Sequence, residues 1–236
     1  TLEDLYLPYK QKRRTKAMIA REAGLEPLAD ALLVDPMLVP EVEAVKYLSL
    51  EPKTAEKDTA VVDVKAALEG AKQILMERFS ENAGLLGRVR EYLSQHGVVE
   101  SKLIEGQADK GEKFADYFAY SETWRTIPSH RALAIFRGRN EGVLTSKLLL
   151  DSEAGDEKPT WSAPLNPVEN MIAGFANIIN KSRPADKWLT EVVRWTWRIK
   201  ISLHMETELM SSLREKSEQE AINVFARNLK DLLLAA

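Results

Sequence analysis

The stretch WLTEVVRWTWRIKISL, residues 188–203, decides the fold. Its apolar residues lie on two sides of a helix, and they form the sets Trp188, Val192, Trp195, Ile199 and Leu189, Val193, Trp197, Ile201. A helix that is apolar on most of its faces is buried among other helices. The stretch therefore predicts a central helix, and we expect its tryptophans to pack in the core rather than to stack on bases.

Apolar residues in the flanking segments recur every three to four positions, which is the spacing of helices that bury one face. This spacing predicts two helices within residues 64–96, separated near 82–84 and ended by Gly97. It also predicts a helix over 168–179 and a final helix over 222–232. With the central helix, these segments predict a mainly α fold, built as a multi-helix bundle.

The amino-terminal part contains two shorter helical segments. Thr15 can cap a helix that runs through Ala23 and ends at Gly24, and residues 25–34 show helical apolar spacing. Two short helices joined at a glycine form a helix-turn-helix-like element, and they are equally typical of any helical hairpin. The polar stretch at 51–58 predicts a boundary that separates residues 1–60 from a helical domain at 61–236. Alternatively, the first sixty residues pack onto the rest through Leu2, Leu5, Leu28 and Leu32.

A clear β signal occurs in two short runs, residues 98–104 and 143–150, which are β-branched or leucine-rich. They predict one small two-stranded β element inserted among the helices, although the sequence does not decide whether the two runs pair. Two helical pieces are expected between them, one around Phe114 and one from Ser129 that ends at Gly138. Asn140 and Gly142 can then adopt positive φ in the following turn.

Composition excludes several classes of protein. The 236 residues carry a formal net charge of −3, which excludes a uniformly basic nucleic-acid coat but permits local basic patches. Cysteine is absent, so disulfides, thiolate zinc sites and Cys nucleophiles are excluded. No apolar run approaches the ~20 residues that span a bilayer, so we expect no membrane association. The three histidines form no metal-binding pattern, and we expect neither a cofactor nor an enzyme activity.

Two basic patches are candidate anion-binding surfaces. The first patch precedes and enters the first helix and contains no acidic residue between its members Lys10, Lys12, Arg13, Arg14, Lys16 and Arg21. Backbone N–H groups at a helix start and nearby cations can converge on one phosphate. Alternatively, the patch is a solvated loop that pairs with carboxylates of another helix or of a missing domain.

The second patch lies within residues 124–150, where Glu141 is the only acidic residue. Its cations are Arg125, Arg131, Arg137, Arg139 and Lys147. The spacing of Arg131, Arg137 and Arg139 does not form one clean helical face. Arginines near a helix C-terminus are also favoured by the helix dipole, and they can pair with carboxylates inside the domain.

Two long segments resemble a known family. LEDLYLPYK at residues 2–10, which continues through KRRT to GLEPLA at 24–29, is similar to a signature of the bacterial transcription accessory protein Tex. SHRALAIFRGRNEG at 129–142 resembles a second Tex segment, and the resemblance extends over the whole chain. It implies the N-terminal helical region of a Tex protein, a fragment that ends before an RNase H-like domain.

The resemblance implies a role in transcription and no catalytic residues. Our first hypothesis is that this cytoplasmic region assists non-sequence-specific binding of RNA or of single- or double-stranded DNA. The candidate contacts are Lys10, Lys12, Arg13, Arg14, Lys16, Arg131, Arg137 and Arg139. The second hypothesis is a scaffold that braces the remaining domains of the parent protein and docks components of the transcription machinery.

Overall fold

The computed structural model describes residues 14–49, 59–150 and 163–234. Helices dominate the described chain, so the predicted mainly α fold is confirmed. In chain order, the elements are α1 (Lys16–Glu22), α2 (Glu26–Val34), α3 (Pro40–Ala44) with a 3-10 turn (Val45–Tyr47), α4 (Val64–Ser80), α5 (Ala83–His96), β1 (Gly97–Leu103), a 3-10 segment (Asp109–Tyr117), β2 (Ala119–Thr123), α6 (Ser129–Asn140), β3 (Leu144–Leu150), α7 (Pro167–Phe175), α8 (Asp186–Trp195), a π-helical turn (Thr196–Ile201) and α9 (Ser202–Leu234).

The chain divides into two compact units, each composed of two segments. The helical unit comprises Thr1–Val89 and Pro164–Leu203, and the sheet unit comprises Arg90–Ala163 and His204–Ala236. The predicted boundary near residue 60 does not coincide with this division, because α1, α2 and α3 all contact α4 inside the helical unit. Leu28 and Leu32 are fully buried there, whereas Leu2 and Leu5 lie outside the described residues.

Helices α1 and α2 form the short pair that the sequence predicts. The Thr15 hydroxyl accepts a hydrogen bond of 3.1 Å from the Met18 N–H and so caps α1. Gly24 has a φ of 75°, which lets the chain turn into α2 without a Cβ clash. A Cβ on Gly70 of α4 would lie 2.4 Å from Leu25 Cδ1, so this glycine permits the close approach of the α1–α2 junction.

Helix α4 lies at the centre of the helical unit, where it contacts α1, α2, α3, α8 and the π-helical turn. The predicted central helix at 188–203 is present, but the π-helical turn interrupts it. Leu189, Trp197 and Ile201 are buried, while Ile199 is 50% exposed. A π-helical turn holds more residues than an α-helical one and rotates the side chains that follow it, which the regular spacing could not reveal.

The sheet has three antiparallel strands in the order β2-β1-β3, so the predicted two-stranded element is corrected. The two predicted runs do pair, with Glu100 of β1 opposite Lys147 of β3. The sequence does not predict strand β2, because its residues, AYSET, include no apolar run and none of them is fully buried. Its pairing with β1, for example Ser101 opposite Tyr120, defines the strand.

Helix α6 continues through Gly138 to Asn140, so the predicted helix end at Gly138 is wrong. Gly138 is buried, and a Cβ there would lie 2.5 Å from Leu144 Cδ1 and 3.4 Å from Phe114 Cδ1. The glycine thus serves close packing of α6 on β3. The turn after the helix uses Gly142, whose φ is 71°, while Asn140 stays helical.

The predicted final helix is the second half of α9, a helix of 33 residues. Its first half lies in the core of the sheet unit through Met205, Leu209, Met210 and Leu213. The Trp124 indole N–H also donates a 3.0 Å hydrogen bond to the Leu209 carbonyl. Within residues 14–49, 59–150 and 163–234, no helix combines the length and apolar character needed to span a membrane.

Candidate nucleic-acid interface

Half of the first basic patch lies within the described residues. Lys10, Lys12 and Arg13 lie outside them. Arg14 is ion-paired with Glu22, with its Nε 3.2 Å from the carboxylate. Lys16 is exposed and has no ion pair within the described parts of the chain. Among the described residues of the first patch, only Lys16 can therefore bind a polyanion without first breaking an ion pair with a carboxylate.

Arg21, the last cation of this patch, holds α1 on α4. Its Nη1 lies 2.6 Å from Glu77 Oε1, and the Thr15 hydroxyl donates a 3.0 Å hydrogen bond to the same carboxylate. Glu77 is 6% exposed. Partial burial lowers the pKa of Arg21, but the hydrogen bond and charge of Glu77 outweigh this effect and raise it. Arg21 is thus a structural residue.

Arg131 of α6 is held by residues of β2. Its Nη1 donates to the Tyr120 hydroxyl at 3.3 Å and to Glu122 at 3.4 Å, and its guanidinium lies 5.8 Å from the Tyr120 ring centre. The Tyr120 hydroxyl in turn donates to Glu122. Burial, followed by this hydrogen bond, raises the pKa of Tyr120. The charge of Arg131 is therefore partly neutralised within the sheet unit.

Arg137 shares a carboxylate with a lysine that lies outside the two predicted basic patches. Glu141 Oε1 lies 3.1 Å from Arg137 Nε, and Glu141 Oε2 lies 2.6 Å from Lys113 Nζ. The hydrogen bond from Lys113, together with the one from Arg137, lowers the pKa of Glu141. The Arg137–Glu141 pair has a recognisable four-residue spacing, but no sequence signal brings Lys113 to the same carboxylate.

The remaining cations of the second patch are exposed. Arg125, Arg139 and Lys147 have no ion pair with any residue in the described parts of the chain. Arg139 and Lys147 both lie within electrostatic range of the Glu206 carboxylate on α9. Partial burial raises the pKa of Glu206, against the hydrogen bond from the Leu148 N–H and the two positive charges. Arg139 and Lys147 therefore contribute two positive charges beside the one carboxylate of Glu206.

A groove opens in the sheet unit between the start of α6 and α9. Its volume is about 660 Å³, and its apolar walls include Ile127, Leu133 and Val224. At its rim, the Ser129 hydroxyl donates to Glu220. Among the described residues, no three His, Asp or Glu side chains are grouped as metal ligands.

Comparison with known proteins identifies the family. Residues 35–225 match the family model described as Tex central region-like. The chain is 53% identical to Protein YhgF of Escherichia coli over 235 residues, and 47% identical to Transcriptional accessory protein Tex of Neisseria gonorrhoeae. It is 28% identical to S1 RNA-binding domain-containing protein 1 of Homo sapiens over 249 residues. The chain belongs to the Tex family, as the two resembling segments suggested.

These matches cover all of this chain and a minority of each relative. The chain corresponds to 29% of the E. coli and N. gonorrhoeae proteins and 23% of the human one. The matched segment is therefore one region of considerably longer polypeptides.

Proposed function

We propose that this region of a Tex protein supports nucleic-acid binding through weak, sequence-independent contacts to phosphates. The observation that carries the proposal is the group of exposed cations Arg125, Arg139 and Lys147 in the sheet unit, which have no ion pair within the described chain. Exposed guanidinium and ammonium groups bind phosphate oxygens and release counterions from the nucleic acid. The role is one of binding and not of catalysis.

The names of the relatives favour RNA as the ligand. One relative is named a transcriptional accessory protein and another an S1 RNA-binding domain-containing protein. Single-stranded RNA is therefore the first ligand to test, with single- and double-stranded DNA as alternatives. A cytoplasmic place of action and contacts with the transcription machinery belong to the same proposal.

The α1–α2 pair contributes no base-reading helix to this proposal. Helix α2 has the sequence EPLADALLV, which contains no cation. Its Glu26 and Asp30 carboxylates bind Arg78 at 3.3 and 2.7 Å. A recognition helix presents Arg, Lys, Asn or Gln to base edges and phosphates, and α2 presents none of them. DNA reading by a helix-turn-helix is thus not supported by the chemistry of α2.

Fluorescence anisotropy with a labelled oligouridylate tests the proposal at low salt. We expect the unchanged chain to bind weakly, and removal of the three cations to lower its affinity about ten-fold. The test variant combines Arg125→Ala, Arg139→Ala and Lys147→Ala. A control variant loses the same charge from exposed lysines of the helical unit, and it combines Lys65→Ala, Lys181→Ala and Lys187→Ala.

The control variant should change the affinity less than two-fold. Its three lysines lie in the helical unit, so their loss should change the electrostatic potential at the proposed RNA contacts less than loss of the three cations of the sheet unit does. Equal losses in the two variants would show that net charge alone matters and would refute the assignment to the sheet unit. Adding Lys16→Ala to the test variant separately measures the described part of the first patch.

A second candidate function is the bracing of other domains of the polypeptide. It is favoured by the second half of α9, where Phe225 is 68% exposed and Leu232 is 70% exposed. Large apolar side chains exposed on one helix mark a contact surface.

A further inference from the structure

Helix α9 changes character near Ser217. Before this point, it buries Met205, Leu209, Met210 and Leu213 in the sheet unit. Ser217 is 1% exposed, and every described residue after it is exposed. The second half of α9 therefore extends beyond the core of the sheet unit.

The second half nevertheless carries an apolar face. The spacing of this face alternates between three and four residues, as in helices that pack against another helix. We name it the α9 stripe, and it consists of Ile222, Phe225, Leu229 and Leu232, with Leu233 beside them. These side chains are between 45% and 71% exposed.

The α9 stripe is not a continuation of the face that packs in the sheet unit. Leu213 and Ile222 are about two and a half helical turns apart, so they lie on opposite sides of α9. The residues that precede the stripe on its own side, including Ser211 and Glu215, are polar and exposed. The α9 stripe thus lies on the opposite side of α9 from Leu213, Glu220 and Val224, which face the sheet unit, and this indicates a second packing partner.

The chemistry of the stripe indicates what this partner presents. The positions that flank it are occupied by Ala221, Ala226 and Asn228, which are small or uncharged. Small flanking residues permit close approach of a second helix, and the absence of flanking charges favours an apolar partner face. A helix with Leu, Ile or Val at three- and four-residue spacing fits this surface.

The size of the stripe favours a partner in the same polypeptide. It offers five large side chains, whereas a stable interface between separate proteins uses about 20–30 residues on each side. A short contact becomes effective when both faces belong to one chain, because the local concentration reaches millimolar values. The relatives match this chain throughout, and more than two thirds of their length lies outside the match.

We propose that the α9 stripe is the packing surface for an apolar helix from another region of the full-length Tex polypeptide. This proposal rests on the bracing role and is independent of nucleic-acid binding. In the full-length protein, the packed helix fixes α9 and thereby links the sheet unit to the region that follows or precedes it.

Site-specific alkylation tests the proposal, because this chain contains no cysteine of its own. Leu229→Cys places a thiol in the stripe, and Arg227→Cys places one on the opposite side of α9 as a matched control. Each variant is made in this chain alone and in the full-length E. coli relative, with this chain in place of its matched segment. Reaction with N-ethylmaleimide is followed by peptide mass spectrometry, which resolves each site.

We expect both thiols to react at similar rates in the chain alone. In the full-length polypeptide, the Leu229→Cys thiol should react at least about ten-fold more slowly, as expected for a site that must open locally first. The Arg227→Cys thiol should keep its rate. Equal rates for Leu229→Cys in the two polypeptides would overturn the proposal. Protection in the chain alone that grows with protein concentration would instead assign the stripe to a second copy.

A second variant tests the same contact through thermal stability, so the result does not depend on thiol reactivity alone. Leu229→Ser should lower the thermal midpoint of this chain only slightly, because nearly half of the Leu229 surface is exposed there. In the full-length polypeptide it should lower the midpoint of the transition that includes α9 by more. An equal change of the midpoint in both would also overturn the proposal, whatever the outcome of RNA binding.

Discussion

Replacement of Asp186 by Asn is expected to destabilise the helical unit through one buried carboxylate. Asp186 is 2% exposed at the start of α8. Its Oδ2 accepts hydrogen bonds from the backbone N–H groups of Lys181 at 2.7 Å and Arg183 at 2.9 Å. Its Oδ1 accepts from the Arg183 guanidinium Nη2 at 2.9 Å. The carboxylate thus holds the loop before α8 in its bent form.

The magnitude follows from the pKa of this carboxyl group. Burial raises the pKa of Asp186, but the bonds from Arg183 and Lys181 outweigh burial and lower it from 3.8 to about 2. A shift of this size corresponds to at most about 2.5 kcal/mol. Because the loop borders on solvent, which screens the Arg183 charge, we expect Asp186→Asn to lower the free energy of unfolding by about 1.5–2 kcal/mol.

The pH dependence separates this charge effect from a general loss of packing. A carboxyl group with a lowered folded pKa stabilises the protein fully above pH 3.8 and loses this contribution as the pH falls towards 2. The difference between the unchanged chain and Asp186→Asn should therefore be full at pH 7 and shrink below pH 3.8.

Urea unfolding followed by circular dichroism at pH 7 and at pH 3 measures both differences. The control is Asp116→Asn, because Asp116 is exposed and has no hydrogen bond or ion pair within the described chain. It should change stability by less than about 0.5 kcal/mol. The reasoning is refuted if Asp186→Asn matches this control at pH 7, or if its loss is the same at both pH values.

Three further substitutions test other parts of the account. Glu77→Ala should lower the free energy of unfolding in urea by about 2–4 kcal/mol, because it leaves Arg21 without its main partner; a loss below 1 kcal/mol would contradict the role of this pair. Gly138→Ala should destabilise by about 1–3 kcal/mol in the same assay, since the new methyl group would overlap Leu144; a neutral result would show that the contact relaxes freely. Glu206→Gln should tighten RNA binding about two-fold in anisotropy titrations at low salt, because it removes the carboxylate beside two exposed cations; weaker binding would argue against their role.

Local signals in the sequence predicted many elements correctly because their causes are local. Thr15 caps α1 through a residue three positions away, and Gly24 turns the chain with its own φ. The apolar spacing within residues 64–96 similarly located α4 and α5. Such features depend on neighbours along the chain, so a single sequence contains the information for them.

The errors occurred where distant contacts decide the structure. Strand β2 forms because its backbone pairs with β1, although its side chains show no strand pattern. Gly138 lies inside α6 and does not end it. The absence of a Cβ at this position leaves room for the Leu144 side chain. The π-helical turn at Thr196–Ile201 likewise has no signature in the apolar spacing.

The candidate interface was predictable in composition but not in detail. The sequence located the cations of residues 124–150, yet it could not show that Arg131 of α6 binds Glu122 of β2. Nor could it show that Lys113 and Arg137 share Glu141. The availability of a surface charge depends on its three-dimensional partners, and only the structure distinguishes the paired cations from the exposed ones.

The salt dependence of RNA affinity tests the central claim most directly, because each phosphate contact contributes separately to its slope. For a single strand, the slope of log K against log salt falls by about 0.7 for each contact that is removed. The account predicts that loss of Arg125, Arg139 and Lys147 together reduces the slope by about 2, whereas the helical-unit control leaves it unchanged. An identical slope for the unchanged chain and the triple variant would contradict the claim that these residues contact phosphate.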